Sequence, residues 1–276
     1  METGKVILAG AGPGDPELLT LKAARYLQQA DVVLADRLVS EGILYQWVQP
    51  RAEIIFVGKE GGNDQSTSQE DINALLVQYA LEGKLVVRLK GGDVAFYANV
   101  LDELLALNRY SISYEIVPGI SAASGASAYS GIPLTARNYA QSVRFLTLYN
   151  ADQYTDVFWQ ELAHTADTLV LYMSGGQLGT IARKLSARGI AAGKMLALIS
   201  QATTPQQSIQ LWDIDKLAEQ EHSSFISPSL IIIGKVVALH EQFGWFKPEA
   251  AEQSEVYFRE IRNAQAASLS PVFVPK

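Results

Sequence analysis

VILAGAGPGDPELLTLKAARYLQQADVVLADRLVS, residues Val6 to Ser40, contains two short apolar runs, Val6 to Ala9 and Val32 to Leu34. Between them Leu19, Ala23, Tyr26 and Ala30 recur at helical spacing, and glycines and prolines crowd the exit from the first run. Strand-length runs joined by a segment of helical period form a β-α-β pattern. Asp15 and Pro16 stand where an N-cap and a first-turn proline belong, so the spacing predicts a helix from about Pro16 to Gln29.

The pattern continues outward at Ile54 to Val57, Leu85 to Leu89 and Tyr114 to Val117. Thr67 and Glu70 have capping-box spacing ahead of Ile72, Leu75, Leu76 and Tyr79, which predicts a second helix running to Glu82 and stopped by Gly83. After Val117, PGISAASGASAYSGIPLT is a stretch of small residues with a proline near each end, and reads as a joint between domains. Strand-like runs resume at Val143 to Leu148, Thr168 to Met173, Met195 to Ile199, Ser208 to Leu211 and Leu230 to Ile233, with a helical segment at Leu178 to Arg188. The reading is therefore α/β throughout: an N-terminal domain over 1–117, a second over 118–245, and a polar, Ala-rich tail over 246–276.

Composition narrows the chemistry. The 276 residues carry 22 Lys and Arg against 29 Asp and Glu, a net charge of −7, which argues against an extended nucleic-acid or anionic-membrane surface. Any anionic substrate must meet a local basic pocket. The absence of cysteine excludes disulfides, thiolate metal sites and cysteine nucleophiles, and fits a reducing, cytoplasmic setting. The segment METGKVILAG lacks the pattern of a secretory signal, and no apolar run approaches the ~20 residues of a membrane span. The expectation is a soluble protein.

Three motifs at strand ends carry the functional signal. Gly10-Ala-Gly-Pro-Gly-Asp-Pro16 permits a tight turn and close backbone approach by a ligand, but Pro13 lacks an N–H and Asp15 is an anion, which suits a dinucleotide phosphate poorly. A nicotinamide-dependent oxidoreductase would rest on this turn alone. Arg88-Leu-Lys-Gly-Gly-Asp93 pairs two glycines with a carboxylate that could meet an ammonium or hydroxyl; the alternative is a turn with a solvated aspartate. Asp36-Arg37-Leu38 offers a base for a substrate N–H, or else a local Asp36 to Arg37 pairing.

Other signals are weaker. His164, His222 and His240 lack metal-helix spacing and read as surface residues, so no metal site is expected. Ser174 before two glycines suggests a nucleophile turn without partners, and Met173 reads first as core filling, with a ligand-site role as the alternative.

In order, VILAGAGPGDPELLTLKAARYLQQADVVLADRLVS, VGK, VVRLKGGD, VPGISAASGASAYSGIPLT and YAQSVRF resemble the uroporphyrinogen-III C-methyltransferases of the tetrapyrrole methylase family, over about Lys5 to Leu239. The resemblance implies two α/β domains with a cleft between them, of the class III methyltransferase type, and a homodimer. It implies S-adenosylmethionine as donor, folded into that cleft, and no metal. By similarity Pro13, Gly91, Gly92, Asp93, Ser121, Ala122, Met173, Ala202 and Ser229 would line the donor site, and Asp36 matches an aspartate at the mouth of the tetrapyrrole pocket. The implied reaction methylates two ring carbons of uroporphyrinogen III in succession to give precorrin-2, the branch point toward sirohaem and cobalamin. Asp36 is the candidate base.

The chain departs from its relatives where they read GGDPFIFGRGGEE: here Gly91-Gly-Asp-Val-Ala-Phe-Tyr-Ala-Asn-Val-Leu-Asp-Glu103 puts Asn99 in place of an arginine. Glu60 stands where relatives often have Arg, and the usual Thr-Gly-His is Thr147-Leu148-Tyr149-Asn150. An octacarboxylate then loses cationic partners. Candidate substrate contacts are Lys59, Asn99, Asp102, Arg137 and Arg144. Three readings stay open: a uroporphyrinogen methyltransferase with relocated cations, a relative methylating another tetrapyrrole, and a paralogue that binds tetrapyrrole without transferring methyl groups.

Overall fold

The computed structural model describes residues 3–58, 67–220, 226–248 and 257–258. Lys59, Glu60, His222 and most of the tail lie outside these residues. The chain divides into two compact units: 1–11, 16–119 and 258–276 form the first, and 12–15 with 120–257 form the second.

The first unit is built on a five-stranded sheet in the order β3-β2-β4-β1-β5. Its strands are β1 (Lys5–Gly10), β2 (Val32–Ala35), β3 (Glu53–Phe56), β4 (Leu85–Lys90) and β5 (Ser113–Val117). Every pairing is parallel. Parallel sheets are covered on both faces, and this explains the unbroken apolar runs. On one face Ile7, Ala9, Val33, Val87 and Leu89 pack with Ala23 and Leu27 of α1 (Leu21–Leu27) and with Ile43 and Leu44 of α2 (Glu41–Trp47). On the other, Val6, Leu8, Val32, Leu34 and Val86 pack with Ile72, Leu76 and Ala80 of α3 (Gln69–Leu81) and Leu107 of α4 (Val100–Arg109).

Two helix starts differ from expectation. Pro16–Leu18 form only a 3₁₀ turn, and α1 begins at Leu21, where the Thr20 hydroxyl accepts a hydrogen bond from the Ala23 N–H at 3.3 Å. Asp15 is unavailable as that cap because its carboxylate receives the Tyr129 hydroxyl. The cap of α3 is Ser68 rather than Thr67: its hydroxyl accepts from the Asp71 N–H at 3.0 Å and donates to the Asp71 carboxylate at 2.8 Å. Gly83 takes the left-handed conformation that ends this helix, as its position predicts.

The second unit holds a mixed sheet, β6-β7-β10-β8-β9, of β6 (Val143–Thr147), β7 (Thr168–Tyr172), β8 (Met195–Ser200), β9 (Ser208–Asp213) and β10 (Ser229–Gly234). Only β6 and β7 pair in parallel; the other neighbours are antiparallel. Leu169, Leu171, Leu196, Leu198, Ile231 and Ile233 face α6 (Asp156–His164), α7 (Leu178–Ser186) and α8 (Ile214–Ala218), around the fully buried Trp159. Val170, Ala197, Ile199 and Ile232 face Ala123 and Ala126 of α5 (Ala122–Ser130). A short α9 (His240–Phe243) follows the last strand.

Helix α5 lies inside the small-residue stretch that reads as a joint. AASGASAYS has no broad apolar stripe, and its ends are set by the Ser121 cap and by Gly131 at φ 66°. Helix α7 stops at Ser186, two residues before the expected Arg188.

One feature of β4 is unusual for a central strand. Arg88 and Lys90 are 4% and 3% exposed, and both point to Glu103 of α4, which is 0% exposed. Glu103 accepts from Arg88 Nε at 3.0 Å and, through its two oxygens, from Lys90 Nζ at 2.7 and 2.8 Å. Arg88 also donates to the Leu34 and Leu89 carbonyls. Removing the anion from such a cluster strands two desolvated cations. Glu103→Ala should lower unfolding stability by about 3–5 kcal/mol, read from urea denaturation midpoints at unchanged slope.

Candidate functional site

Because all strands of the first unit run one way, their C-terminal ends share one edge, where open α/β sheets bind ligands. Helices α1 and α2 cover one face and α4 the other, so β4 exits opposite to its neighbours β1 and β2. The loop Gly91-Gly92-Asp93 leaves the sheet at this switch point. Its backbone is locked to the adjoining strand ends: Ala11 N–H donates to the Lys90 carbonyl at 2.8 Å, and Asp36 N–H to the Leu89 carbonyl at 2.9 Å.

Asp93 turns inward. One carboxylate oxygen accepts from Ala95 N–H at 2.8 Å and the other from Gly119 N–H at 2.7 Å, so the side chain fastens the loop to the end of β5. Its solvated-turn alternative does not hold, since Asp93 is 8% exposed. The strand ends meet through bare backbone. A Cβ on Gly119 would lie 2.4 Å from the Gly92 carbonyl oxygen, and one on Gly10 would lie 2.6 Å from the same atom. A Cβ on Gly91 would strike Leu38 at 2.6 Å, which sets the Asp36-Arg37-Leu38 turn directly against the loop.

That turn carries the candidate base. Asp36 Oδ1 accepts from the Arg37 backbone N–H at 2.9 Å, and the two side chains form no ion pair. The local Asp36 to Arg37 pairing is thus absent as a side-chain contact. Beneath Asp36, burial and the Arg88 charge push the Lys90 ammonium below the usual lysine range, while Glu103 and Asp36 oppose the shift. Asn99 is exposed and Asp102 half-buried, and the two are bonded to each other, Asn99 Nδ2 donating to Asp102 Oδ2 at 2.7 Å. Asn99 occupies the left-handed region at φ 50° as the residue before α4, a conformation asparagine tolerates.

In the second unit the remaining donor-site candidates share another sheet edge. Met173 follows β7, Ala202 follows β8, and Ser229 opens the antiparallel β10, paired with Ser200. Met173 is 57% exposed at φ 53°, so the core-filling expectation is overturned. Ser121 caps α5 by accepting from Ser124 N–H at 3.1 Å, and Ala122 opens that helix. Tyr172, which the motif reading did not single out, accepts from the Ala123 N–H through its hydroxyl at 3.0 Å and so ties β7 to α5.

Pro13 packs beside Gly125, whose added Cβ would lie 2.5 Å from the proline Cγ. Asp15 N–H donates to Thr203 Oγ1 at 3.0 Å, anchoring the turn beside Ala202. The structure therefore groups Pro13, Ser121, Ala122, Met173, Ala202 and Ser229 on α5 and the neighbouring strand ends.

The cation candidates fare differently. Arg144 is committed to Glu161 at 2.5 Å and to Asp167, and the paired carboxylates hold its guanidinium pKa above the usual arginine value. Arg137 is exposed in the loop before β6, and Lys59 lies outside the described residues. Ser174 is 0% exposed, donates to the Tyr172 carbonyl and accepts from Leu148 N–H, so it is structural rather than a nucleophile. No group of His, Cys, Asp and Glu suited to a metal ion occurs among the described residues.

The sequence pattern of the Tetrapyrrole (Corrin/Porphyrin) Methylases matches residues 5–218. The chain belongs to the tetrapyrrole methylase family. Among relatives of this tetrapyrrole methylase are the siroheme synthase of Neisseria meningitidis serogroup A, 48% identical over 91% of this chain and 51% of the relative, and that of Acinetobacter baylyi, 49% identical over 88% and 53%. The chain thus spans about half the length of these curated relatives. Among solved structures, uroporphyrin-III-C-methyltransferase from Thermus thermophilus is 36% identical with a TM-score of 0.71, covering 88% of this chain and 98% of that one. A second structure of that protein, complexed with S-adenyl homocysteine, is 36% identical with a TM-score of 0.69, over 85% and 93%. The cobalt precorrin-4 methyltransferase is 28% identical at a TM-score of 0.70, over 84% and 95%.

In this tetrapyrrole methylase the contacts at Gly10 and Gly119 admit no side chain, because the atoms a Cβ would meet there are backbone. Gly119→Ala should destabilise the fold by about 1–3 kcal/mol through overpacking, checked by denaturation.

Proposed function

We propose that this chain is an S-adenosylmethionine-dependent methyltransferase that converts uroporphyrinogen III to precorrin-2, on the route to sirohaem or cobalamin. The observation that carries the reading is the position of Asp36: its turn packs on the Gly91-Gly92-Asp93 loop through Leu38, so a carboxylate stands beside bare backbone at the switch point of the sheet. The siroheme synthase relatives and the uroporphyrin-III-C-methyltransferase solved with S-adenyl homocysteine support the same chemistry.

The residues proposed to hold the donor are Gly91, Gly92 and Asp93 of the first unit and Pro13, Ser121, Ala122, Met173, Ala202 and Ser229 of the second. They fit a nucleoside sulfonium. Gly91 and Gly92 are partly accessible and present peptide groups without side chains, and Met173 offers an exposed apolar thioether. The chain's own contribution to methyl transfer is placement of donor and acceptor carbons in line. A ring carbon attacks the methyl group, the sulfonium leaves as a neutral thioether, and the positive charge left on the acceptor is discharged as a proton. Asp36 is proposed to orient the pyrrole N–H groups and take that proton. Lys59, Asn99, Asp102 and Arg137 remain proposed substrate contacts; Arg144, already paired with two carboxylates, is not carried forward.

A homodimer is proposed as well. It is supported by exposed apolar side chains in the first unit: Leu101 and Leu105, one turn apart on α4, and Tyr114 and Ile116 on the edge strand β5. We also infer a cytoplasmic, membrane-independent setting, consistent with the lack of a helix long and apolar enough to cross a membrane among the described residues. A second reading, methylation of a different tetrapyrrole, is favoured by one observation: Asn99, in the place of the usual loop arginine, spends its amide on Asp102.

S-adenosylhomocysteine at a hundredfold excess over its dissociation constant should stabilise the protein by about 2.7 kcal/mol, seen as a raised melting temperature; no shift at millimolar ligand removes the donor assignment. Mass analysis after incubation with uroporphyrinogen III should show two added methyl groups, and a single addition to another tetrapyrrole would favour the second reading. Asp36→Asn should cut kcat by about 10²- to 10⁴-fold with S-adenosylhomocysteine affinity nearly unchanged, and wild-type turnover in this variant would take Asp36 out of the mechanism.

A further inference from the structure

We propose that Arg37 binds a carboxylate of the acceptor, an assignment that rests on the tetrapyrrole reading above. Arg37 follows Asp36 in the turn beyond β2, and its Nε is buried without any hydrogen-bond partner. A buried donor left unmade is costly, so a native protein that keeps one invites an acceptor from outside. Among the described residues the guanidinium makes no ion pair either, and the hydrogen bond to Asp36 comes from the Arg37 backbone N–H.

The neighbouring cations are already engaged. Arg88 and Lys90 of the adjacent β4 are both spent on Glu103. Asn99 brings no charge and is bonded to Asp102. Among the described residues flanking Asp36, Arg37 is therefore the cation with donors to give.

Its chemistry matches the acceptor. The Nε–Nη edge of a guanidinium fits the two oxygens of a carboxylate, a geometry that lysine cannot reproduce. Each pyrrole ring of the acceptor carries its carboxylate arms on the two β-carbons, on the side of the ring away from its N–H, a span that a long arginine side chain beside Asp36 can cover. Consecutive residues then address one ring, Asp36 its N–H and Arg37 one of its arms, which fixes the ring's orientation as well as its affinity. In a chain of net charge −7, such a local cation is what an octacarboxylate needs.

The test is a fluorescence titration with uroporphyrin III, the oxidised octacarboxylate analogue, on wild type, Arg37→Gln and Arg37→Lys, with S-adenosylhomocysteine affinity measured in parallel. Arg37→Gln should weaken uroporphyrin binding by about ten- to hundredfold and Arg37→Lys by less, with S-adenosylhomocysteine affinity unchanged in both. Wild-type uroporphyrin affinity in Arg37→Gln overturns the role of Arg37 and leaves the tetrapyrrole reading standing. A wild-type protein that binds S-adenosylhomocysteine but not uroporphyrin overturns that reading and this inference together. If Arg37→Gln loses both ligands through misfolding, Arg37→Lys decides: a severalfold loss supports the assignment, and undiminished affinity overturns it.

Discussion

The carboxylate of Asp93, accepting from Ala95 N–H on one oxygen and Gly119 N–H on the other, ties the loop after β4 to the end of β5 while Gly91 and Gly92 stay partly accessible. Gly10 and Gly119 approach each other and the Gly92 carbonyl oxygen so closely that neither admits a Cβ. This backbone-to-backbone closure determines where the loop after β4 lies. It also brings Leu38 onto Gly91, and thereby the turn bearing Asp36 and Arg37. The anion that its motif offers as a ligand contact is also the fastening that shapes the edge.

Below that edge the electrostatics are set by burial. Two cations on one central strand would repel and desolvate badly, yet a single wholly buried glutamate satisfies both with short hydrogen bonds. The cluster of Arg88, Lys90 and Glu103 carries one surplus positive charge, and Asp36 is the anion whose field acts on Lys90. The price of that arrangement is paid in packing, since α4 cannot shift without unseating Glu103.

Much of this architecture is legible in the residues. The ten apolar runs mark ten strands, most clearly β1, β2, β4, β7, β8 and β10, which are buried along nearly their whole length, and Gly83 marks a helix end through its backbone conformation. Helix α5 is not legible, because small residues packed against a sheet leave no apolar period to read. The α1 start is misplaced because Asp15, a good cap by type, is held by Tyr129, a partner 114 positions away that no local window contains. For the candidate site, the glycine loops and Asp36 are visible as motifs. The orphaned Nε of Arg37 is not, since an Asp-Arg dipeptide suggests mutual neutralisation that the turn geometry does not permit. Arg144 misleads in the opposite sense: its partners Glu161 and Asp167 lie outside any motif, and only the fold brings them to it.

The peptide Gly12–Asp15 is grouped with the second unit although β1 before it and the turn after it belong to the first. Its contacts to Thr203, Tyr129 and Gly125 make four residues from the start of the chain part of a structure assembled from its far half. The halves are consequently not modules that recombination could trade by a single crossover after Val117. A second half inherited from elsewhere would arrive without its own Pro13, and exchange between relatives must preserve this stitch or re-evolve it.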